Sequence, residues 1–350
     1  MREHHSGIKI ADESAMIDRT AIQAIDQTPA HEYGISPSDL IAILRTIGRG
    51  KSSAKSLTRE QSFQLFYAIF HGQCDPMQLG AALMALRLKG ESLEEVAGAI
   101  DAVQCTMQRI TLNPDRPIVS IPSYNGARNT ANLVPLLACL LADAGVQVIV
   151  HGSDDSPSRI SSASIFSAMG IDHCRHNKDV VDAIARRTPA YVPIAELSPG
   201  LDRLLGIRQT LGVRNMGHTI CKMLNPSTSS GCLRLASFTH PEFNLIQHEY
   251  FTHFGGNALV MRATEGEAVA NTRRQNKIDH IQDGACNTVV ETSTHPALVS
   301  SNLPHAIDAA TTAVWTQSVL GAERPVPAAV AVQVQIILAA CKKNTPELLL

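Results

Sequence analysis

Pro117-Ile118-Val119-Ser120-Ile121 and Val146-Gln147-Val148-Ile149-Val150 bracket an apolar stretch from Leu133 to Ala144. The two outer runs are too short for helices and rich in β-branched residues, so they read as buried strands. The stretch between them reads as a helix, with Pro135 in the first turn, where a missing N–H costs nothing. A strand–helix–strand unit of this kind joins parallel neighbours. Working outward, Ile160 to Met169 reads as a helix and Tyr191-Val192-Pro193-Ile194 as a short strand. Cys232–Ser237 and Asn257–Met261 read as further strands, with the helix Glu242–Phe254 between them. Pro304 to Val319 and Pro327 to Lys342 read as closing helices. The alternation predicts an α/β domain with a mostly parallel central sheet.

Upstream the signals are helical. Ser38 precedes an apolar-periodic run through Leu40, Ile41, Leu44 and Ile47. Thr58-Arg59-Glu60-Gln61 has capping-box spacing before Phe63, Leu65, Phe66 and Ile69. Asp75-Pro76 supplies an N-cap with proline behind it, and that helix stops at Gly90. Ser92-Leu93-Glu94-Glu95 is a second capping box and opens a helix toward Met107. Four short helices in a row predict a small N-terminal bundle. The expected division is a flexible extension over 1–36, a helical domain over 37–112 and an α/β domain over 113–345, some of whose helices can return to the helical domain.

The chain has 350 residues, 44% of them hydrophobic, and a formal charge of −2. Overall charge therefore does not mark a nucleic-acid binder, and such a role must come from uneven placement of charge. No apolar run has membrane-spanning length; Ala328 to Cys341 is short and holds Gln333 and Gln335. Glu3, His4 and His5 leave no apolar signal-peptide core. The eight cysteines form no Cys-x-x-Cys pair. That argues against a zinc site or a disulfide framework and for reduced thiols in a cytoplasmic protein.

Three motifs in order carry a resemblance. They are Lys89-Gly90-Glu91-Ser92, the strand and loop Ala144 to His151-Gly152, and Leu211-Gly212-Val213-Arg214 followed by Asn225-Pro226. Together they resemble the anthranilate phosphoribosyltransferase-like proteins of glycosyltransferase family 3, which have the nucleoside phosphorylase/phosphoribosyltransferase fold. The resemblance spans roughly residues 38 to 345. Ile121 to Arg128, Ala131-Asn132-Leu133, Gly206 to Asn215, Ser237 to Glu242 and Thr264-Glu265-Gly266-Glu267 resemble the YbiB-type branch. The resemblance implies a homodimer joined through the helical domain, and DNA binding in place of biosynthesis.

The same comparison implies that the transferase chemistry is lost. A pyrophosphate is held by glycine N–H groups at a helix start. Where the enzymes carry Gly-Thr-Gly-Gly-Asp, this chain has Pro122-Ser123-Tyr124-Asn125-Gly126, in which the proline cannot donate and the tyrosine fills space. Their Asn-Ile-Ser-Thr becomes Asn132-Leu133-Val134-Pro135, without hydroxyls. Their Asn-Arg-Ser becomes Ser153-Asp154-Asp155, which repels anions. Glu265 and Glu267 differ in spacing from the enzymes' Asp-Glu magnesium pair, and Glu265-Gly266-Glu267 reads as a solvated turn. Arg208 stands where the enzymes contact the aromatic carboxylate. His151 reads as a loop histidine held by backbone contacts, and His218 as helix surface or packing. No catalytic residue, metal site or cofactor is expected; magnesium enters only if the chain is a transferase. Tyr124, Asn125, Gly126, Asn132, His151 and Gly152 remain as a residual ligand pocket.

Two stretches are basic and free of acids. Arg45, Arg49, Lys51 and Lys55 lie between Asp39 and Glu60. Arg203, Arg208, Arg214, Lys222 and Arg234 lie between Asp202 and Glu242. Arg87, Lys89 and Arg128 are expected to join them in the interdomain cleft. The bland reading is a set of solvated faces. The sharper one is a dimer that binds nucleic acid, with DNA expected, through Arg45, Arg49, Lys51, Lys55, Arg87, Lys89, Arg128, Arg203, Arg208 and Arg214, without sequence preference and away from membranes. Tyr124 and Phe238 are the aromatic candidates for base stacking. The alternatives are a phosphoribosyl- or glycosyltransferase with altered donor and acceptor sites, and a protein-interaction scaffold.

Overall fold

A computed structural model describes residues 35–50, 53–154, 158–295 and 302–342. Lys51, Asp155 and nearly all of the expected extension lie outside them. The first four helices are α1 (Pro37–Ile47), α2 (Arg59–Phe70), α3 (Pro76–Lys89) and α4 (Leu93–Thr106). Capping boxes at Thr58, Asp75 and Ser92 satisfy orphan N–H groups at their starts. The cap of α1 is Ser36 rather than Ser38, because Pro37 takes the first helical position. Helices α2 and α4 pack through Leu65, Phe66, Val96 and Ile100, all fully buried. They meet at Gly98, where a Cβ would stand 2.1 Å from the Arg59 carbonyl oxygen. The apolar side of α2 is therefore internal to the bundle. Ile41 on α1 and Met77 and Leu88 on α3 are exposed instead.

The remainder is built on seven strands: β1 (Ile118–Ser123), β2 (Gln147–Gly152), β3 (Ala190–Pro193), β4 (Leu233–Phe238), β5 (Asn257–Arg262), β6 (Ile278–Gln282) and β7 (Ala285–Val290). Their order is β3-β2-β1-β4-β5-β6-β7. The first five are parallel, and β6 and β7 add an antiparallel margin. That hairpin was not expected from the apolar pattern, since Asp279 and His280 sit inside β6. Its turn was legible, however. Asp283 and Gly284 take consecutive positive φ values of 51° and 80°, which a two-residue type I′ turn requires.

The expected helix after β1 is α5 (Val134–Asp143), followed by α6 (Ser162–Ala168). The chain then forms α7 (Asn177–Ala185), α8 (Ile194–Leu197), α9 (Pro199–Gly206), α10 (Arg208–Leu211) and α11 (Gly217–Ile220), short helices not foreseen individually. Next come α12 (Pro241–Phe254), α13 (Ala309–Leu320) and α14 (Ala328–Cys341). The main core joins Leu136, Phe166, Trp315 and Ile336 to Val119, Val148, Leu235 and Leu259 of the sheet. Helix α12 packs on β4 to β7 and also on α4, while α9 packs on α2. Parallel strand order reverses between β1 and β4. In open α/β sheets, ligands bind outside the carboxyl ends of the strands at such a point. The loop 124–133 leaves β1 there.

Candidate functional site

The loop after β1 turns at Gly126 (φ +63°), where a Cβ would come within 2.7 Å of the Ile160 carbonyl oxygen. The turn points a row of backbone N–H groups in one direction, the arrangement that receives anions. Here the acceptors belong to the protein. The Glu267 carboxylate accepts from the amides of Asn125 (2.8 Å) and Gly126 (2.7 Å). The Glu265 carboxylate accepts from the amides of Arg128 (2.7 Å) and Asn129 (3.0 Å) and from the Thr130 hydroxyl (3.2 Å). Glu267 is 1% exposed, which corrects the reading of this segment as a solvated turn. Gly266 between them has φ +97°, and its backbone lies so near that a Cβ would overlap Asn125 Nδ2. Burial opposes ionisation of Glu265. The two amides, the Thr130 hydroxyl and the Arg159 charge outweigh it and hold the carboxyl below the usual glutamate range.

Cations surround these carboxylates. Lys222 donates to the Gly266 carbonyl (3.0 Å), and Arg159 donates to the carbonyls of Gly126 (3.0 Å) and Glu265 (3.3 Å). Arg214 donates to Asn125 Oδ1 (2.8 Å), and Arg87 from α3 donates to the Arg214 carbonyl (2.8 Å). Burial lowers the Arg214 pKa, and the nearby Arg208 and Arg159 lower it further. Burial likewise lowers the Lys222 pKa, with repulsion from Arg214 and Arg159 added. His218 beside them falls to about 4, by burial and then the Arg214 charge, so it is neutral at pH 7. Arg159, outside both acid-free stretches, was missed because only the fold brings it here.

The residual pocket residues do come together, but they bind one another. The Tyr124 hydroxyl lies 2.7 Å from His151 Nδ1. His151 is held by this side chain at the end of β2 and is fully buried, and burial lowers its pKa to about 3. It is therefore neutral at pH 7. Asn132, just ahead of α5, accepts from the Val134 amide (3.1 Å) and donates to Ser162 Oγ (3.1 Å). Gly152 lies so close to β1 that a Cβ would overlap the Ser123 carbonyl oxygen. Tyr124 is thus withdrawn from base stacking, and Phe238 ends β4 half-buried.

The basic residues separate into two sets. Arg45, Arg49 and Lys55 are exposed, and their side chains make no hydrogen bond or ion pair among the described residues. Arg128 and Arg208 are exposed as well. Lys89 is instead paired with Glu95 (2.8 Å), a carboxylate with no exposure, so it holds the bundle together rather than facing a ligand. Arg203 donates to the Phe70 carbonyl (2.7 Å), which fastens α9 to α2. Arg234 is buried over the Phe251 ring and donates to the Met223 and Gly255 carbonyls. Among the described residues, no helix is long and apolar enough to cross a membrane.

A bundle in front of a mostly parallel sheet, with a polar loop at its switch point, defines a phosphoribosyltransferase-type fold. The helical bundle domain of a glycosyl transferase family matches residues 41–107. The solved anthranilate phosphoribosyltransferase of Thermus thermophilus superposes with a TM-score of 0.68 at 21% identity, over 89% of this chain and 91% of that one. The Saccharomyces cerevisiae enzyme in complex with PRPP and Mg gives 0.69 at 15% identity, over 88% and 90%. In sequence, YbiB of Escherichia coli is 36% identical over 303 residues, covering 86% of this chain and 94% of YbiB. The anthranilate phosphoribosyltransferase of Actinobacillus succinogenes is 28% identical over 236 residues, 65% of this chain and 70% of that enzyme. The chain belongs to the YbiB-type branch of the anthranilate phosphoribosyltransferase-like proteins. The magnesium of the yeast complex does not suit the residues present here. Both candidate carboxylates point into N–H donors, and Arg159 and Lys222 stand beside them.

Proposed function

We propose that this protein binds nucleic acid as a homodimer through a basic surface, and that it does not transfer phosphoribose. The observation that carries the reading is the occupied amide loop: the N–H groups suited to a phosphate already hold Glu265 and Glu267. A phosphate there would have to displace two carboxylates that are already neutralised by fixed dipoles and cations. With that site closed, Arg45, Arg49 and Lys55 stand as exposed cations, unpaired among the described residues, on and beside the first helix, and Arg128 and Arg208 are exposed as well. Exposed Ile41, Met77 and Leu88 support a dimer joined through the bundle. A two-fold axis there would double the basic patch into a groove able to follow a phosphate backbone.

The test is salt-dependent binding. Each phosphate contact releases condensed counterions, so affinity falls steeply as salt rises. Six contacts correspond to roughly a thousandfold loss between about 50 and 200 mM salt. Replacing Arg45, Arg49 and Lys55 together with alanine should weaken binding to all sequences alike and flatten the slope. Unchanged affinity and slope in a folded dimer would reject this surface.

The second reading is a phosphoribosyl- or glycosyl-transferring enzyme with altered sites. It is favoured by the retained fold and by the enzymes the chain resembles. It requires the Glu265–Glu267 segment to leave the loop, and turnover of anthranilate with phosphoribosyl pyrophosphate and magnesium at ordinary enzyme rates would establish it.

A further inference from the structure

Helix α12 packs on the β6–β7 hairpin. His248 on α12, Asp279 on β6 and Cys286 on β7 bring one ligand atom each within 4.8 Å of one another. Among the described residues they form the set of three metal-ligand side chains that converges. The spacing of cysteines along the chain gave no hint of it, since each ligand comes from a different element.

The surroundings orient two of the three ligand atoms, on His248 and Asp279. His248 Nδ1 donates to the Asn244 carbonyl oxygen one turn back (2.8 Å), which fixes the ring so that Nε2 points at the carboxylate; without an ion Nε2 carries a proton and donates it to Asp279. Nε2 faces Asp279 Oδ2 at 3.0 Å. The other oxygen, Oδ1, is taken by the Thr288 hydroxyl (2.7 Å) and by Lys277 Nζ (3.1 Å). Histidines and carboxylates that bind metals are oriented through their second atoms in this way. Backbone carbonyls hold His71 and His253 similarly, so the histidine contact alone would mean little; the carboxylate and thiol facing it distinguish this site. Cys286 is exposed, which gives an ion a path from solvent.

We propose that His248 Nε2, Asp279 Oδ2 and Cys286 Sγ bind a zinc-type divalent cation. One nitrogen, one oxygen and one sulfur suit a borderline-soft ion of tetrahedral preference, with water as the fourth ligand. Magnesium and calcium, which take oxygen ligands, do not fit this donor set. Binding releases two protons to solvent, one from the Cys286 thiol and one from His248 Nε2, and breaks the direct His248–Asp279 hydrogen bond, which the ion then bridges. Lys277 stays on Oδ1 and repels the ion, so its charge lowers affinity without blocking a ligand.

The test uses the full chain, reduced and stripped with chelator, and cobalt(II) as the probe. One equivalent should bind with tetrahedral d–d absorption and a thiolate-to-cobalt charge-transfer band, both removed by added zinc. Cys286→Ser should abolish the charge-transfer band. Asp279→Asn and His248→Gln should each weaken binding at least tenfold, and Thr288→Val, which only orients Asp279, by about tenfold to a hundredfold. Lys277→Gln should tighten it. Zinc should raise the thermal midpoint of the parent chain and not that of Cys286→Ser. Absence of the charge-transfer band in the parent, its persistence in Cys286→Ser, or cobalt binding without thiolate character would each overturn the site and leave an ordinary His–Asp–Lys ion-pair cluster.

Discussion

Glu267 makes a hydrogen-bonded contact with backbone 142 positions away, and together with Glu265 it occupies the amides of the loop after β1. Hydrogen bonds to an ionised acceptor are roughly twice as strong as neutral ones. Replacing both Glu265 and Glu267 with glutamine keeps acceptors in place but removes the charge. The double variant should lose about 1–3 kcal/mol of stability in urea titration. It should also bind inorganic pyrophosphate measurably by calorimetry where the parent does not. Equal pyrophosphate binding by both would refute the idea that these carboxylates occupy the site.

Glu91 tests the same scale by pH. Burial raises its pKa from 4.5 to about 7, against a hydrogen bond from Thr219 (3.0 Å) that favours the charged form and with Glu95 nearby adding repulsion. The folded state therefore binds this proton more tightly than the unfolded chain. Its stabilising contribution is complete below pH 4.5 and is lost as pH rises toward and through about 7. At about 1.4 kcal/mol per pH unit the loss between 4.5 and about 7 is on the order of 3–4 kcal/mol, and Glu91→Gln should flatten that part of the stability–pH curve. The ring of cations was only partly legible in sequence. Arg208, Arg214 and Lys222 could be seen as an acid-free run, whereas Arg159 joins them through the approach of two loops.

At the level of elements, the legible features were those written in local chemistry. Two capping boxes and the Asp75-Pro76 and Lys89-Gly90 boundaries mark helices within a residue or two, because caps satisfy N–H groups of the same turn. Strands β1 to β5 were visible as short apolar runs, with the β-branched residues concentrated in β1 and β2. The β6–β7 hairpin carries the Asp283-Gly284 signal, but polar residues within β6 broke the apolar run that revealed the others. Packing between elements gives a direct prediction. Gly98→Ala places a methyl group 2.1 Å from the Arg59 carbonyl oxygen, so α2 and α4 must separate. The expected cost is about 2–3 kcal/mol, read as a lower urea midpoint with little change in slope. A neutral outcome would mean that this helix contact is looser than described.

For the molecule as a whole, sedimentation at micromolar concentration should give a dimer. Changing Met77 and Leu88 to glutamate should shift it to monomer, since a charge on an apolar interface must either be desolvated or break it. If the dimer persists, the exposed faces of α1 and α3 are not its interface. The salt slope of nucleic-acid binding belongs to this scale as well, because it counts phosphate contacts over the assembled surface.

The amino-acid sequence alone determined the order of helices and parallel strands and the loss of a phosphate-binding loop's glycines and hydroxyls. Periodicity, caps and turns act over a few residues, and each can be read where it stands. Only the tertiary structure decided what occupies that loop. The carboxylates that fill it, the histidine sealed beside Tyr124, the lysine withdrawn into a pair with Glu95 and the three convergent side chains on α12, β6 and β7 all depend on contacts between distant segments. Their burial, and therefore their charge and availability, is set by packing that no local pattern encodes.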